Sequence, residues 1–221
     1  MNDFKNKTIV LDLHYLAPVI YYSTIITFQK VFIAKCEHYE KSTYRNRCYI
    51  ASPNGTLRLT VPLLRGKNQH IIVKDVRISY DYNWQKLHWE SLCACYRSSP
   101  YFEFYEDNFV KFYLKRYNYL FDFNEELMNL ILNILKIKIN YSYTECYIKS
   151  DENSLNLRSA IHPKQSKNKI TLLQDTPSYH QVFENKTGFF PDLSIVDLLF
   201  NEGPATKEYL YNLFGYLHFN L

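Results

Sequence analysis

Short apolar runs separated by turn residues fill the N-terminal third of the chain, and this pattern predicts strands. β-branched and aliphatic side chains are typical of strands because they pack well on a pleated surface. Asn54-Gly55 is a strong short signal for a hairpin between the third and fourth strands. The predicted strands cover residues 8–13, 31–36, 47–51, 56–61 and 73–80, and a helix is expected to begin within residues 19–29.

In the middle of the chain, the apolar residues recur at the spacing of amphipathic helices. Asn83, Ser99-Pro100 and Asp122 each provide a start signal, because a side-chain oxygen can cap free backbone amides and proline fits the first turn. The helices predicted behind these signals cover residues 84–97, 100–117 and 122–137.

The remainder predicts a short strand, a loop and two short helices. A strand is expected at 143–148, and the polar stretch 149–178 is interpreted as a loop. Ser194 opens a capping-box pattern, and Gly203-Pro204 separates that helix from a last one. The fold class is therefore mixed α/β (α+β), with strands mainly in the N-terminal third and a helical middle and C-terminus. The absence of repeats and linkers predicts a single domain over residues 1–221.

Composition narrows the class of protein. Of the 221 residues, 47% are hydrophobic and 22% are charged, which is typical of a globular protein. The net charge of +4 and the pI of about 8.6 are lower than expected of a nucleic-acid-binding domain. No window approaches the ~18 apolar residues of a membrane span, and the N-terminus does not resemble a signal peptide, so we expect a cytoplasmic protein. The five cysteines lack a CxxC spacing and are interpreted as small hydrophobic residues, not as metal ligands.

Tyrosine is unusually frequent, with 21 residues beside 15 phenylalanines and only five glycines. Tyrosine combines an apolar ring with a polar hydroxyl, so such a chain can build a core whose side chains end in hydrogen bonds. Codon bias is the alternative explanation for this composition.

The sequence contains no GxGxxG, Walker A, GxSxG or HExxH motif, which disfavours the enzyme classes that use them. Three polar clusters remain as candidate sites. The first joins the second strand to the hairpin and contains Lys41, Arg45, Asn46 and Arg47. Guanidinium groups suit phosphate or carboxylate, and an amide can orient a ligand. A solvated connection with ordinary salt bridges is the alternative.

The second cluster lies around the start of the first long helix, with Asp75 before it. Trp84 and His88 are four residues apart and share a helix face. Lys86 lies about 160° around the helix from His88 and is expected in solvent. An imidazole beside an aromatic ring can act as a general base near neutral pH. A histidine at the edge of the core that donates to a carbonyl is the alternative.

The third cluster lies in the C-terminal part of the chain. Gln181 follows Tyr179, and Asp197 and Asn201 are one turn apart on the predicted helix after Ser194. This cluster would hold a ligand if the helix start, with its free amides, faced a pocket. The alternative is that Asp197 serves the capping box.

These segments together resemble the WbqC-like protein family, in the same order along the chain. Tyr15-Leu16-Ala17-Pro18 with Tyr21-Tyr22 is similar to that family's HQPxYLPWxGYF opening. The family's opening histidine, however, falls at Leu11, and His14 is near but out of register. The other similar segments are Tyr44-Arg45-Asn46-Arg47, Leu59-Thr60-Val61-Pro62-Leu63, Asp75-Val76 with Trp84, Lys86 and His88, Ser99-Pro100-Tyr101-Phe102 with Tyr105, and Tyr179 and Gln181 followed by the stretch from Leu193 to Gly203.

The resemblance implies a bacterial protein of surface-polysaccharide biosynthesis, including lipopolysaccharide and O-antigen. It suggests a transferase of acyl or aminoacyl type that acts on an amino sugar or related amine. His88 would be the base, and Lys41, Arg45 and Arg47 would hold the phosphate or carboxylate of a phosphorylated or nucleotide-linked small molecule. Asn46 would orient the acceptor. The sequence indicates neither a particular cofactor nor an oligomeric state.

A protein that binds a ligand or partner of the same pathway without catalysis is the second hypothesis. The residue Leu11 in place of the family's histidine favours it, whereas the Arg/Asn and Trp/Lys/His clusters favour the enzyme. Convergence of the clusters in one concave pocket would support the enzyme.

Overall fold

Four short parallel strands organise the computed structural model, which describes residues 7–64, 71–146 and 154–220. Central β1 (Thr8–Leu11) pairs with β2 (Lys30–Ile33) on one side and β6 (Ser154–Asn156) on the other. β5 (Tyr141–Tyr143) pairs with the outer edge of β2, so the order is β5-β2-β1-β6. Parallel neighbours cannot be joined by a tight turn. Helix α1 (Val19–Ile25) therefore lies in the connection from β1 to β2.

The order of the strands reverses beside β1. The chain adds β2 and β5 on one side of β1 and later adds β6 on the other side. Ligands in open parallel sheets bind outside the carboxyl ends of the strands at such a reversal, because the connections diverge there and leave a crevice. The segments that follow β1 and β6 are therefore where this fold is expected to form a site.

β3 (Arg47–Ser52) and β4 (Gly55–Thr60) form the predicted hairpin, with six residue pairs from Arg47–Thr60 to Ser52–Gly55. The two residues at the tip are Pro53 and Asn54, so the prediction of a turn at Asn54-Gly55 is wrong by one position. Proline fits the first central position of a turn because its ring fixes φ. Gly55 follows with a φ of 104°, which suits glycine.

The long helices agree with their predictions to within a few residues. They are α2 (Trp84–Tyr96), α3 (Phe102–Leu114) and α4 (Leu120–Ile134). Asn83 caps α2, since its side chain accepts a hydrogen bond from the backbone amide three residues later. α4 begins before Asp122, so this residue lies in the first turn of the helix and not at the predicted cap. The mixed α/β class is confirmed.

Three short helices follow in the C-terminal part: α5 (Glu184–Thr187), α6 (Ile195–Glu202) and α7 (Thr206–Leu213). Ser194 caps α6, since its hydroxyl accepts from the Val196 amide at 3.5 Å. Within the described ranges, no helix combines the length and the apolar character needed to cross a membrane.

Two sequence predictions about extended structure are wrong. Residues 73–80 contain a 3-10 turn, Val73–Asp75, and isolated bridges in place of a strand. The predicted loop at 149–178 contains β6 and also β7 (Ile170–Leu172), which pairs with β8 (Leu217–Phe219). Residues 149–153 of that loop, and 147–148 of the predicted strand before it, lie outside the described residues. Strands of three residues escape prediction because packing, more than propensity, decides them.

The core is rich in tyrosine, and several of its buried hydroxyls are hydrogen-bonded. Tyr15 and Tyr96 are fully buried. The Tyr15 hydroxyl lies 3.0 Å from that of Tyr113, and Tyr96 donates to Asp197 at 2.7 Å. Buried hydroxyls cost free energy unless they are paired, so these contacts fix how the core elements fit together.

Gly203, at the end of α6, provides a test of this packing. Its φ is 52°, and a Cβ added there would lie 2.5 Å from the Tyr101 ring. We expect Gly203→Ala to lower the free energy of unfolding by more than about 1 kcal/mol, because the positive φ costs roughly that much and the ring must also move.

Denaturant unfolding measures this change. Gly215→Ala is the control, because a Cβ added there meets no atom within 4 Å. It should alter stability by less than about 0.5 kcal/mol. Equal effects of the two substitutions would contradict the packing argument.

Candidate functional site

A buried ion pair lies at the carboxyl end of β1. Asp12 directly follows β1, and its Oδ1 accepts a hydrogen bond from Arg45 Nη2 at 2.6 Å. Its Oδ2 accepts from the Ser159 backbone amide at 2.7 Å. Arg45 extends from the 3-10 turn Tyr44–Asn46, which precedes the hairpin. One carboxylate therefore links the end of β1, the segment after β6 and the hairpin entrance.

Other charged groups at this edge are also paired. Arg158, after β6, contacts Glu37 at 2.5 Å and Asn156 Oδ1 at 2.9 Å. Arg45 Nη1 lies 3.9 Å from Glu40. The guanidinium of Arg45 is thus neutralised by carboxylates, which weakens its capacity to hold an anionic ligand.

His14 lies beside this ion pair. Its ring centroid is 4.9 Å from that of Tyr21 and 5.7 Å from that of Tyr44. The pKa of His14 is held well below its usual value by burial first and then by the nearby charge of Arg45. The imidazole is therefore neutral near pH 7. Its Nδ1 is buried without a hydrogen-bond partner among the described residues.

A cleft of about 570 Å³ opens beside these residues. Its lining includes Tyr44 and Tyr49 from the hairpin side and Ile20 from the first helix. His162 and Asp192 also line it. The lining thus comes from the hairpin side, from the start of the helix after β1 and from the segment after β6, and the last two follow the carboxyl ends of strands, where the sheet topology directs a ligand.

His162 is held in one tautomer. Its Nδ1 accepts a hydrogen bond from the Lys164 backbone amide at 2.9 Å, so in the neutral ring the proton resides on Nε2. Burial first, and then Lys167, lower the pKa of His162. A neutral imidazole of this kind carries its N–H donor on Nε2, and His162 lines the cleft.

Asp192 is the carboxyl group of the cleft. Its Oδ1 accepts from the Ile20 backbone amide at 3.1 Å, in the first turn of α1. Burial raises the pKa of Asp192 to about 7, and the bond from Ile20 opposes part of that rise. This carboxyl can therefore exchange its proton near neutral pH.

The residues of the first predicted cluster are divided between core and surface. Arg45 and Asn46 are buried beside the cleft, whereas Lys41 is exposed. Asn46 donates to the Val61 carbonyl at 2.9 Å, and its Oδ1 has no partner within the described ranges. Arg47 is half-buried at the start of β3, and its Nε also lacks a partner there.

His88, predicted as the base, lies in the core. Trp84, His88 and Leu92 share one buried face of α2, as predicted. Only 2% of His88 is exposed. The Tyr15 hydroxyl lies 2.9 Å from Nδ1, and the ring also donates to the Thr60 carbonyl, so both nitrogens are occupied. Burial lowers the pKa of His88 to about 4. This placement favours the structural alternative, and a catalytic role for His88 stays a prediction.

The other members of the second cluster face solvent. Asp75 is exposed, and Lys86 is 68% exposed and lies 3.7 Å from Glu90. Lys86 also lines a separate cleft of about 590 Å³ together with Arg116, and no lining residue is shared between the two clefts.

The third cluster forms a buried hydrogen-bond network, in which only the Asn201 Oδ1 lacks a partner among the described residues. Asp197 is fully buried and accepts hydrogen bonds from Tyr96, Tyr179 and Gln181 at 2.7 to 2.8 Å. Burial raises the pKa of Asp197, and these three bonds oppose the rise. Asn201 donates to the Asp197 backbone carbonyl at 2.7 Å. The network fixes α6 in the core, and none of these side chains lines the 570 Å³ cleft.

Of the residues at this edge of the sheet, the sequence analysis therefore predicted only Arg45 and Asn46 as site residues and missed several others. Some of the missed residues lie directly behind a strand. A search for polar residues behind each apolar run would have found Asp12 and His14. It would not have found His162 or Asp192, because β6 was not recognised and the second residue lies far along the chain. The residues missed are Asp12, His14, Glu37, Arg158, Ser159, His162 and Asp192.

These features define an α/β protein with a candidate ligand cleft at the carboxyl edge of a parallel sheet. Within that class, the chain belongs to the WbqC-like protein family, whose match covers residues 14–172. It is 25% identical over 226 residues to "Uncharacterized protein Rv1507c" of Mycobacterium tuberculosis (strain ATCC 25618 / H37Rv), a match that spans 92% of this chain and 97% of that protein. No solved structure gives a significant match.

Replacement of His88 tests its structural role. We expect His88→Ala to lower the free energy of unfolding by about 2–4 kcal/mol, because the change leaves a cavity and removes the partners of Tyr15 and Thr60. Denaturant unfolding measures the loss, and exposed His180→Ala serves as the control. A His88→Gln variant of wild-type stability without turnover would instead support His88 as the catalytic base.

The Asp12–Arg45 pair provides a second test. Asp12→Ala should destabilise the protein by about 3–5 kcal/mol, because it leaves the Arg45 guanidinium buried without its carboxylate. Glu90→Ala, which removes the partner of exposed Lys86, should cost less than about 1 kcal/mol. A double variant, Asp12→Ala with Arg45→Met, should be more stable than Asp12→Ala alone. If thermal unfolding shows no such recovery, the unpaired charge of Arg45 is not the cause of the lost stability.

Proposed function

We propose that this chain is a transferase of acyl or aminoacyl type that acts on an amino sugar or a related amine in surface-polysaccharide biosynthesis. The observation that carries the proposal is the cleft at the carboxyl edge of the sheet, with His162 and Asp192 in its lining. Membership of the WbqC-like family supports the pathway, because the family is associated with polysaccharide-related genes.

Two groups in the lining of the cleft, His162 and Asp192, suit acyl transfer. In this reaction the acceptor nitrogen attacks the carbonyl carbon of the donor, the bond to the leaving group breaks, and the nitrogen loses a proton. The Nε2–H of neutral His162 is suited to donate to the carbonyl oxygen as negative charge develops there. Asp192, with a pKa of about 7, is suited to take one proton from the protonated amine before attack, and the proton that the nitrogen loses after attack departs with the leaving group.

A phosphate of the substrate would not bind at the first turn of α1 and would need another site. The connection from β1 to α1 contains no glycine, and the Ile20 amide is already bonded to Asp192. Backbone cradles for phosphate need open amides and close approach. Arg47, with its unpartnered Nε in the described structure, and exposed Lys41 are the cations of the predicted cluster that remain for this role.

A non-catalytic binding protein is the second candidate. The separation of the three predicted clusters favours it, because Asp197 and His88 lie outside the cleft. Leu11 in place of the family's opening histidine favours it as well. Under this hypothesis the cleft binds the same ligand but releases it unchanged.

A ligand and product assay tests the proposal. A nucleotide-linked amino sugar should stabilise the protein more than the same nucleotide linked to a sugar without the amine. Saturation at about 100 times Kd corresponds to about 2.7 kcal/mol. Incubation with that amino sugar and a mixture of acyl-CoA donors should then yield an acylated sugar, detected by mass spectrometry.

His162→Ala should remove product formation while the exposed His180→Ala control retains it. Stabilisation without any product would favour the binding protein. Equal stabilisation by the two nucleotide sugars would contradict amine recognition.

A further inference from the structure

Asp192 is a partly buried carboxyl group that forms no ion pair with any described residue. Its hydrogen bond comes from the neutral amide of Ile20, and Oδ2 accepts none from a described residue. Ion pairs occupy other carboxylates of this region, such as Asp12 and Glu37. A desolvated carboxylate without a partner is costly, so a cation brought by a ligand would be stabilised there.

The surroundings of Asp192 suit a cation and not an anion. Within the described residues, the lining of the cleft includes no lysine or arginine. The Tyr44 and Tyr49 rings stand edge to face, with centroids 6.1 Å apart. Asp192 is near enough to raise the pKa of Tyr44, after the larger effect of burial. Aromatic faces attract an ammonium group, in addition to the charge of the carboxylate.

We propose that this cleft is a recognition site for a primary ammonium group, in which Asp192 is the counter-ion and the Tyr44 and Tyr49 rings form the wall. The identification of the bound amine as the acceptor of transfer rests on the proposed function. The binding of an amine to the cleft does not depend on any transfer reaction. The ammonium nitrogen would donate to Asp192 Oδ2 while Oδ1 keeps its bond to Ile20. Transfer of one proton from nitrogen to Oδ2 then leaves a neutral amine and a neutral carboxyl.

Cyclohexylamine and cyclohexanol form a matched pair of probes for this site. They have nearly the same shape, and the amine remains protonated at every pH used. Titration at pH 8, followed by NMR, should show that cyclohexylamine binds at least about 10-fold more tightly than cyclohexanol. The Ile20 amide signal should shift with the amine, because this N–H is bonded to Asp192.

The preference should depend on pH. Asp192, with a pKa of about 7, is mostly ionised at pH 8 and mostly protonated at pH 5.5, so affinity for the amine should fall by about 30-fold. The titratable groups near Asp192 are Tyr44, Tyr49, Tyr209 and His162. Burial raises the pKa of Tyr44 and of Tyr209, so these two stay neutral in this range. His162→Gln should retain the pH profile if Asp192 is its source.

Asp192→Asn removes the charge and retains an oxygen for the Ile20 amide. This variant should bind the amine and the alcohol equally, whereas Asp107→Asn, at an exposed position on α3, should keep the preference. Equal binding of both probes by the wild-type protein would overturn the inference, as would an amine that binds without a shift of the Ile20 signal. These wild-type measurements decide the matter even if Asp192→Asn fails to fold.

The two proposals can fail separately. If cyclohexylamine is preferred at Asp192 but no amino sugar is acylated, the transferase proposal fails and the ammonium site stands. If amino sugars are acylated but neither the probes nor Asp192→Asn reveal a preference for amine, the ammonium site fails and the transferase stands.

Discussion

The buried pair between Asp12 and Arg45 is the contact on which the site depends. Asp12 accepts from Arg45 and from the Ser159 amide, so it joins the end of β1, the segment after β6 and the entrance of the hairpin. A sheet of strands with three or four residues has few ladder hydrogen bonds to hold its carboxyl edge. The ion pair replaces them, but neither charge could stay buried without the other.

That constraint determines what the edge can bind. Because Arg45 is committed to Asp12 and approaches Glu40, its charge is not free for a ligand. The cleft next to it presents a carboxyl with raised pKa and a neutral imidazole instead. This position of a parallel sheet often binds phosphate in other proteins. Here it contains groups that suit an amine and a carbonyl instead.

The same chemistry recurs inside the core, where tyrosine hydroxyls pair with acceptors. Asp197 is buried because Tyr96, Tyr179 and Gln181 all donate to it. His88 is buried because Tyr15 and Thr60 occupy its nitrogens. High tyrosine content therefore has a structural use, whichever cause produced it. It lets polar side chains lie in the interior without water.

Much of the fold could be predicted from sequence, and less of the site. The apolar stripes and caps located the three long helices, and alternation located the hairpin, because these signals are local. β6 escaped because Ser154–Asn156 has no apolar run of its own and gains its place by pairing with β1. Without β6 the reversal of strand order is invisible, so His162 and Ser159 could not be assigned to the edge. Asp192 reaches the cleft from near the other end of the chain, and only the folded structure brings it to Ile20.

The motifs that resembled the family most clearly have explanations in packing. Trp84 and His88 fill one face of α2, and Asp197 anchors α6 at the centre of the core. A segment shared with a family for such reasons indicates the fold and says little about the reaction. Chemistry is better sought where buried polar atoms lack protein partners, because the fold alone does not account for them. His14 Nδ1, at the edge where β1 ends, is such an atom in the described structure.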